Sequence, residues 1–328
     1  MPGEGPSLFA ASSADALNLD INIATWAGLG GLIVVMAIFD LVIYARGHTP
    51  SVRENTIWSI GWIAIALLFG AVFWAWQGSD AGSQFYAGYL LERSLSLDNI
   101  FVFAVILSYF AVPGLQAQAR VLAWGIILAL VLRLIFILLG AALLNAFHIT
   151  FYFFGLLLLY TAWKLARHDD AEVEPEHNPA LKFIRKHVKM TQEFDGKKVF
   201  THVDGKRIAT PLLAVFVVIA TTDIIFAVDS IPAIFAVTQE SFIVFAANAF
   251  ALIGLRALYF LLVGLMDKFV YLTQGLAFIL AFIGVKMLLV DIWHVPIWLS
   301  LAVIVVTLVL TALLSMRADR KKHAASAA

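Results

Sequence analysis

Apolar residues run in long blocks along this chain, and polar residues collect between them. Nine blocks are long enough to cross about 30 Å of hydrocarbon as helices. They lie near 22–44, 57–76, 85–110, 119–144, 150–167, 209–237, 241–264, 270–290 and 296–316. The pattern predicts an all-α polytopic membrane protein with nine transmembrane helices. One polar interval, 168–208, is much longer than the rest. Within it Lys182, Arg185, Lys186 and Lys189 recur at a spacing that suits a surface helix. From Val199 to Thr210 short β-prone runs flank Asp204-Gly205, a two-residue turn signal that predicts a hairpin. The acid–histidine stretch from His168 through Glu174, Glu176 and His177 reads as a solvated linker, with metal sensing as the lesser alternative.

Composition agrees with the pattern. Hydrophobic residues are 62% of 328 and charged residues 13%, with a mean hydropathy of +0.92. A soluble domain has about 45–50% and about 25%. A formal net charge of zero argues against nucleic acid as a partner. The chain has no cysteine, which excludes disulfides and thiolate metal sites. Its first 21 residues carry no Lys or Arg and no compact apolar core, so they do not read as a cleaved signal peptide.

Charge alternates from loop to loop. Arg46, Arg53, Arg120, the basic part of 182–207, Lys268 and Arg317 to Lys322 fall on one side. The other side has only acids: Glu4, Asp15, Asp20, Asp80, Glu240 and Asp291. The positive-inside rule then puts residues 1–21 outside and the 168–208 loop and the 317–328 tail in the cytoplasm. The expected location is the bacterial inner membrane, and the expected partners are the lipid bilayer and a divalent metal ion. A homo-oligomer or a membrane-protein partner is left open.

Blocks three to five resemble blocks six to eight. Glu92 aligns with Asp223 and Asp98 with Asp229, then Arg133 with Arg256 and Lys164 with Lys286. Each unit has three helices, so equivalent positions are separated by an odd number of crossings. The two units, about 85–167 and 209–290, are therefore expected to be inverted relative to each other. That is the design of many secondary transporters, which bind their cargo near midplane between the repeats.

Ionisable groups in hydrocarbon are costly, about 2.5–3.5 kcal/mol each even on the lenient insertion scale. This chain keeps Asp40, Glu92, Asp98, Asp223 and Asp229 there, with Arg93, Arg133 and Arg256. Lys164 and Lys286 lie nearer helix ends and can snorkel. Asn99 and Ser230 directly follow the second acid of each motif. Acids six residues apart point about 120° apart on a regular helix, so they cannot share one ion from an unbroken helix. Glu92, Ser96 and Asn99 do share a face, as do Asp223, Ala227 and Ser230. Pro232 removes a backbone donor just after Asp229 and predicts a kinked or partly unwound sixth block. The candidate metal ligands are thus Asp40, Glu92, Asp98, Asn99, Asp223, Asp229 and Ser230. Arg133, Arg256 and Lys286 are candidate counter-charges or gates. An all-oxygen donor set favours a hard or borderline dication such as Mn2+, Ca2+ or Mg2+. Several acids in one place also suit exchange against protons, because protonation removes ligand charge as the ion leaves.

At these residues the chain resembles the TerC family of bacterial membrane proteins, above all its Alx-type members. The resemblance rests on Tyr89-Leu90-Leu91-Glu92-Arg93-Ser94-Leu95-Ser96-Leu97-Asp98-Asn99 and on Phe226-Ala227-Val228-Asp229-Ser230-Ile231-Pro232-Ala233. Gly254-Leu255-Arg256-Ala257-Leu258-Tyr259, Ile283-Gly284-Val285-Lys286, Ala209-Thr210-Pro211-Leu212 and Asp40 also fit. It implies a LysE-like transporter fold and, for Alx-type members, manganese export; tellurite resistance is the older label. Relatives commonly have a glutamate three residues before the acid matching Asp223, where this chain has Ala220.

The resulting expectation is a secondary transporter exporting a divalent cation, Mn2+ first, in exchange for protons, with no resident cofactor and no enzymatic activity. The chain has no P-loop, nucleophile elbow or His-rich metal motif. The alternative is a non-transporting scaffold or sensor in tellurite or metal stress, in which the buried charges only fix helix packing.

Overall fold

The structure, a computed structural model, describes residues 19, 21–45, 51–167, 178–203, 205–262, 271–293 and 295–326. The side chains at 44, 45, 98, 101, 262, 272 and 319–326 fall outside that description. The elements in chain order are α1 (Ile23–Ala45), α2 (Val52–Gln77), α3 (Ser79–Tyr109), α4 (Gly114–Ala146), α5 (Ile149–Ala166) and α6 (Pro179–His187). Then come β1 (Phe200–Val203), β2 (Lys206–Ala209), α7 (Pro211–Phe235), α8 (Ser241–Leu252), α9 (Leu255–Leu262), α10 (Leu272–Leu288) and α11 (Ile297–Ser326).

Eight of the nine predicted blocks coincide with one helix each, and the seventh, 241–264, holds two, α8 and α9. Among the described residues seven stretches are long and apolar enough to cross a membrane: α1, α2, α4, α5, α7, α8 joined to α9, and α11. The other two blocks differ for opposite reasons. α3 has 31 residues but carries Glu92, Arg93 and Asp98 in its middle, whereas α10 is apolar but has 17 residues.

Local chemistry sets the boundaries. Ser51 starts α2 with a capping box: its Oγ accepts from the Glu54 N–H at 3.2 Å, and Glu54 Oε2 accepts from the Ser51 N–H at 2.7 Å. Thr210 caps α7 and Asn178 caps α6, each followed by a proline whose missing N–H costs nothing at that position. The expected surface helix is α6. The expected hairpin is β1–β2, antiparallel from Phe200 opposite Ala209 to Val203 opposite Lys206. Asp204 of its turn lies outside the described residues, as do the acid–histidine stretch 168–177, Arg46, Lys268, residues 1–18 and Asp20.

One backbone expectation is corrected. α7 runs as helix through Pro232 to Phe235. Pro232 sits in the last turn, where only the bond to the Val228 carbonyl is lost, so the helix persists. The interruption comes one block later. α8 stops at Leu252, Ile253 has ψ 130, Gly254 has φ +84, and α9 begins at Leu255. A side chain at Gly254 would meet Trp62 Cδ1 at 2.6 Å, so both the left-handed backbone and the space require glycine.

Every residue of α8 from Phe242 to Leu252 is buried. A helix apolar on all faces belongs inside a bundle, and α8 packs among α1, α2, α3 and α4. The outer helices expose large apolar side chains such as Val35, Leu68, Leu139, Phe153 and Leu310, a surface suited to lipid. α5 and α10 cross antiparallel at two glycines. A Cβ on Gly284 would lie 2.9 Å from the Gly155 carbonyl oxygen, and one on Gly155 would lie 3.0 Å from that of Gly284. Small residues let membrane helices approach this closely. At one end of the crossing Tyr152 donates to Asp291 at 2.5 Å and His148 Nε2 lies 3.2 Å from the same carboxylate.

Candidate ion site

Arg133, near the middle of the 33-residue α4, is 1% exposed. A guanidinium so deep needs partners on every side, and three neighbouring helices supply them. Its Nη1 donates to Glu92 Oε2 of α3 at 2.7 Å. The same nitrogen reaches Ser230 Oγ of α7 and Asn248 Oδ1 of α8, both at 3.3 Å. Its Nη2 lies 3.5 Å from Asp223 Oδ1 of α7. Glu92 and Asp223, the first acids of the two aligned motifs, thus converge on one cation.

The convergence leaves groups over. Glu92 Oε1, Asp223 Oδ2, Ser96 Oγ, Asn248 Nδ2 and Arg133 Nε are buried without a hydrogen-bond partner. Unmade hydrogen bonds of this kind are expensive, more so for charged groups. Two carboxylates facing one guanidinium also leave one negative charge in excess when both are ionised. The centre is therefore short of positive charge and has oxygen lone pairs to spare.

A second centre surrounds Arg256 in the first turn of α9. Its Nη2 donates to Asp40 Oδ2 of α1 at 2.6 Å and to the Asp40 carbonyl oxygen, and its Nη1 to the Ala119 carbonyl of α4 at 3.4 Å. Asp40 Oδ1 has no partner. Arg93 of α3 donates to the Ala251 carbonyl at 2.8 Å. That carbonyl is left over because α8 stops one residue later. The helix break is thus held by Arg93 on one flank and Arg256 on the other.

Asp229 and Lys286 find partners away from the Arg133 centre. Asp229 turns to α5, where it accepts from Thr161 Oγ1 at 3.0 Å. This is the divergence expected for acids six residues apart on unbroken helix. Ser230 stays with Asp223 on the Arg133 face, as the shared-face pattern predicts. Asn99 is buried in α3, while the Asp98 side chain lies outside the described residues. Lys286 donates to Ser300 Oγ at 3.1 Å and ties α10 to α11. Among the described residues no three of His, Cys, Asp or Glu gather closely enough to hold a metal by themselves.

Asn248 is the polar residue that sequence reading missed. It is 1% exposed and faces Arg133. The only signal was a lone amide in the apolar run Phe245-Ala246-Ala247-Asn248-Ala249-Phe250.

A model described as the Integral membrane protein TerC family matches residues 77–323. A Salmonella typhi protein named "Putative membrane-bound redox modulator Alx" is 41% identical over 313 residues, 91% of this chain and 97% of its own. The protein of that name from Escherichia coli K12 is 40% identical over 311 residues, 90% of this chain and 97% of its own. "Uncharacterized membrane protein STKORF319" of Myxococcus xanthus is 45% identical over 280 residues, 85% and 88% of the two chains. No solved structure matches. With the family pattern spanning the helices that carry Glu92, Arg133, Asp223 and Arg256, this chain is a member of the TerC family of integral membrane proteins.

Proposed function

We propose that this protein is a secondary transporter that exports a divalent cation, Mn2+ first, across the bacterial inner membrane in exchange for protons. The observation that carries the reading is the pair of buried oxygens, Glu92 Oε1 and Asp223 Oδ2, that no hydrogen bond satisfies beside Arg133. Each comes from a different repeat unit. Both are hard donors suited to Mn2+, Ca2+ or Mg2+. In this reading Arg133 is the resident counter-cation. An arriving dication supplies the missing charge and competes with the guanidinium for both acids. Protonation of the carboxylates then weakens their hold on the ion. Asp229, beside Thr161, serves as a second station further along α7, with Asp98 as its counterpart on α3. Ala220 leaves one fewer carboxylate on α7 than TerC-type proteins commonly carry, so selectivity among the three ions is the feature most open to change.

The finer architecture belongs to the same proposal. Nine crossings would put the N-terminus outside and the C-terminus in the cytoplasm, with α3–α5 and α7–α10 as inverted units. Packing supports it: α3 lies against α8 as α4 lies against α7, and α5 packs on its counterpart α10. A pseudo-two-fold axis produces such reciprocal pairs. A redox role, which the Alx name gives to those relatives, could not use a thiol of this chain, since it has no cysteine.

The test is Mn2+ flux in proteoliposomes, with Ca2+ and Mg2+ as competitors and lumenal pH recorded. Glu92→Gln and Asp223→Asn should each abolish flux while the purified protein keeps a wild-type elution profile. Wild-type flux in both variants would leave the scaffold reading, in which Arg133 and its acids only staple four helices together.

A further inference from the structure

The two charged centres use neither the hairpin nor the basic residues around it. Between β1–β2 and the first turns of α4 and α7 lies a cavity of about 510 Å³. Three cations line it, Arg120 of α4, Lys198 before β1 and Arg207 of β2, and no acid does among the described residues. The rest of the lining is apolar, chiefly Trp124, Phe200, Leu212, Leu213 and Phe216. We propose that this cavity is a headgroup site for an anionic phospholipid.

The cations are held in place while keeping donors to spare. Arg120 spends one N–H on the Lys197 carbonyl at 2.7 Å, and a guanidinium has five. Arg207 lies over the Phe200 ring, 4.3 Å from its centroid, which orients its plane without using a hydrogen bond. Lys198 pairs with Asp195 at 2.9 Å and is the least available of the three. A phosphodiester, with one negative charge and two free oxygens, matches the two arginines, which recognise phosphate through paired N–H groups.

The apolar part separates a lipid from a soluble anion. Trp124 stands ten residues into α4, about 15 Å along the helix from Gly114, and is 51% exposed. Phe216 stands five residues into α7, about 7.5 Å from Pro211. Arg120 meets the hairpin through Lys197, and Trp124 lies four residues, about 6 Å, further along α4, so the cavity passes from charge beside the hairpin to an apolar wall beyond it. Inorganic phosphate would leave that wall wet, whereas a phospholipid covers it with its first methylenes. A tryptophan at this depth also fits the aromatic belt of membrane interfaces.

The test uses the full chain, delipidated in detergent, with native mass spectrometry as readout. Phosphatidylglycerol, phosphatidylcholine and inorganic phosphate are added in separate arms. One phosphatidylglycerol should stay bound, phosphatidylcholine should not, and millimolar phosphate should fail to displace the lipid. Arg207→Gln should weaken retention about fivefold, and Arg120→Gln with Arg207→Gln about 25-fold, from the usual contribution of one basic group near an anionic headgroup. Lysine at both positions should restore only part of it, because an ammonium keeps the charge but lacks the paired N–H groups. Arg207 lies on an exposed strand, so its single variant remains informative if Arg120→Gln does not fold. Equal retention of the two lipids overturns the proposal, as does wild-type retention in Arg207→Gln. Displacement by phosphate would make the cavity a soluble-anion site and overturn it equally.

Discussion

Glu92 and Asp223 occupy different nitrogens of one guanidinium, Glu92 2.7 Å from Nη1 of Arg133 and Asp223 3.5 Å from Nη2. The unequal distances matter. Glu92 holds a close charge-assisted bond, while Asp223 is attracted at longer range and is the easier of the two to turn toward another cation.

Removing the guanidinium strands both acids. Arg133→Ala should lower stability by about 3–5 kcal/mol, the usual cost of leaving a buried charge without its partner. Adding Glu92→Gln and Asp223→Asn to that variant should recover much of the loss, because no uncompensated charge then remains. Thermal unfolding of the single and triple variants decides the matter; a triple variant no more stable than the single would mean that Arg133 works through packing alone.

The Arg256–Asp40 pair predicts a different response. Arg256 also holds two backbone carbonyls, so Asp40→Asn should cost less than Arg256→Ala. A double-mutant cycle on melting temperature should return a favourable coupling for the pair. A coupling near zero would assign the arginine's effect to the carbonyls.

Gly254→Ala should cost more than the roughly 1–2 kcal/mol of a left-handed non-glycine residue, because its Cβ would also strike Trp62 at 2.6 Å. Gly28→Ala is the control. Nothing lies within 4 Å of a Cβ there, and alanine gains about 0.5–1 kcal/mol over glycine inside a helix. Opposite shifts in melting temperature are expected, and a loss in both would show that helix propensity is not the controlling factor.

At the hairpin, the Thr201 hydroxyl at 2.6 Å and then the Lys198 ammonium at 2.9 Å hold the Asp195 carboxyl below its usual range. A folded value below the unfolded one stabilises above the unfolded value of about 3.9 and is lost as pH falls through the folded one. Amide exchange near Thr201 should therefore stay flat from neutral pH down to about 5, after correction for the intrinsic rate, and rise below about 4. A Thr201→Val protein should show a smaller rise, because its folded value then lies closer to the unfolded one.

Much of this arrangement was legible in the chain. Long apolar blocks located the helices, Asp204-Gly205 located the hairpin, and the depth of Arg133 and Arg256 required acidic partners. Shared-face spacing joined Asp223 to Ser230 and divided Asp223 from Asp229. Partner choice was not legible, since any of five acids satisfied the charge count and only the packing of α1 against α4 and α8 brings Asp40 to Arg256. The helix break was misplaced because a proline was weighed as a breaker and a glycine was not. Pro232 sits where a helix is ending anyway, whereas Gly254 sits in mid-block, where a left-handed residue must end it.

The buried guanidinium has a consequence for how the protein is made. Two carboxylates alone in this position would depend on a bound cation to assemble, as the smallest metal-dependent domains do. Arg133 is delivered with the chain itself, so its pairing with Glu92 and Asp223 supplies the balancing charge from within the fold and needs no added cation.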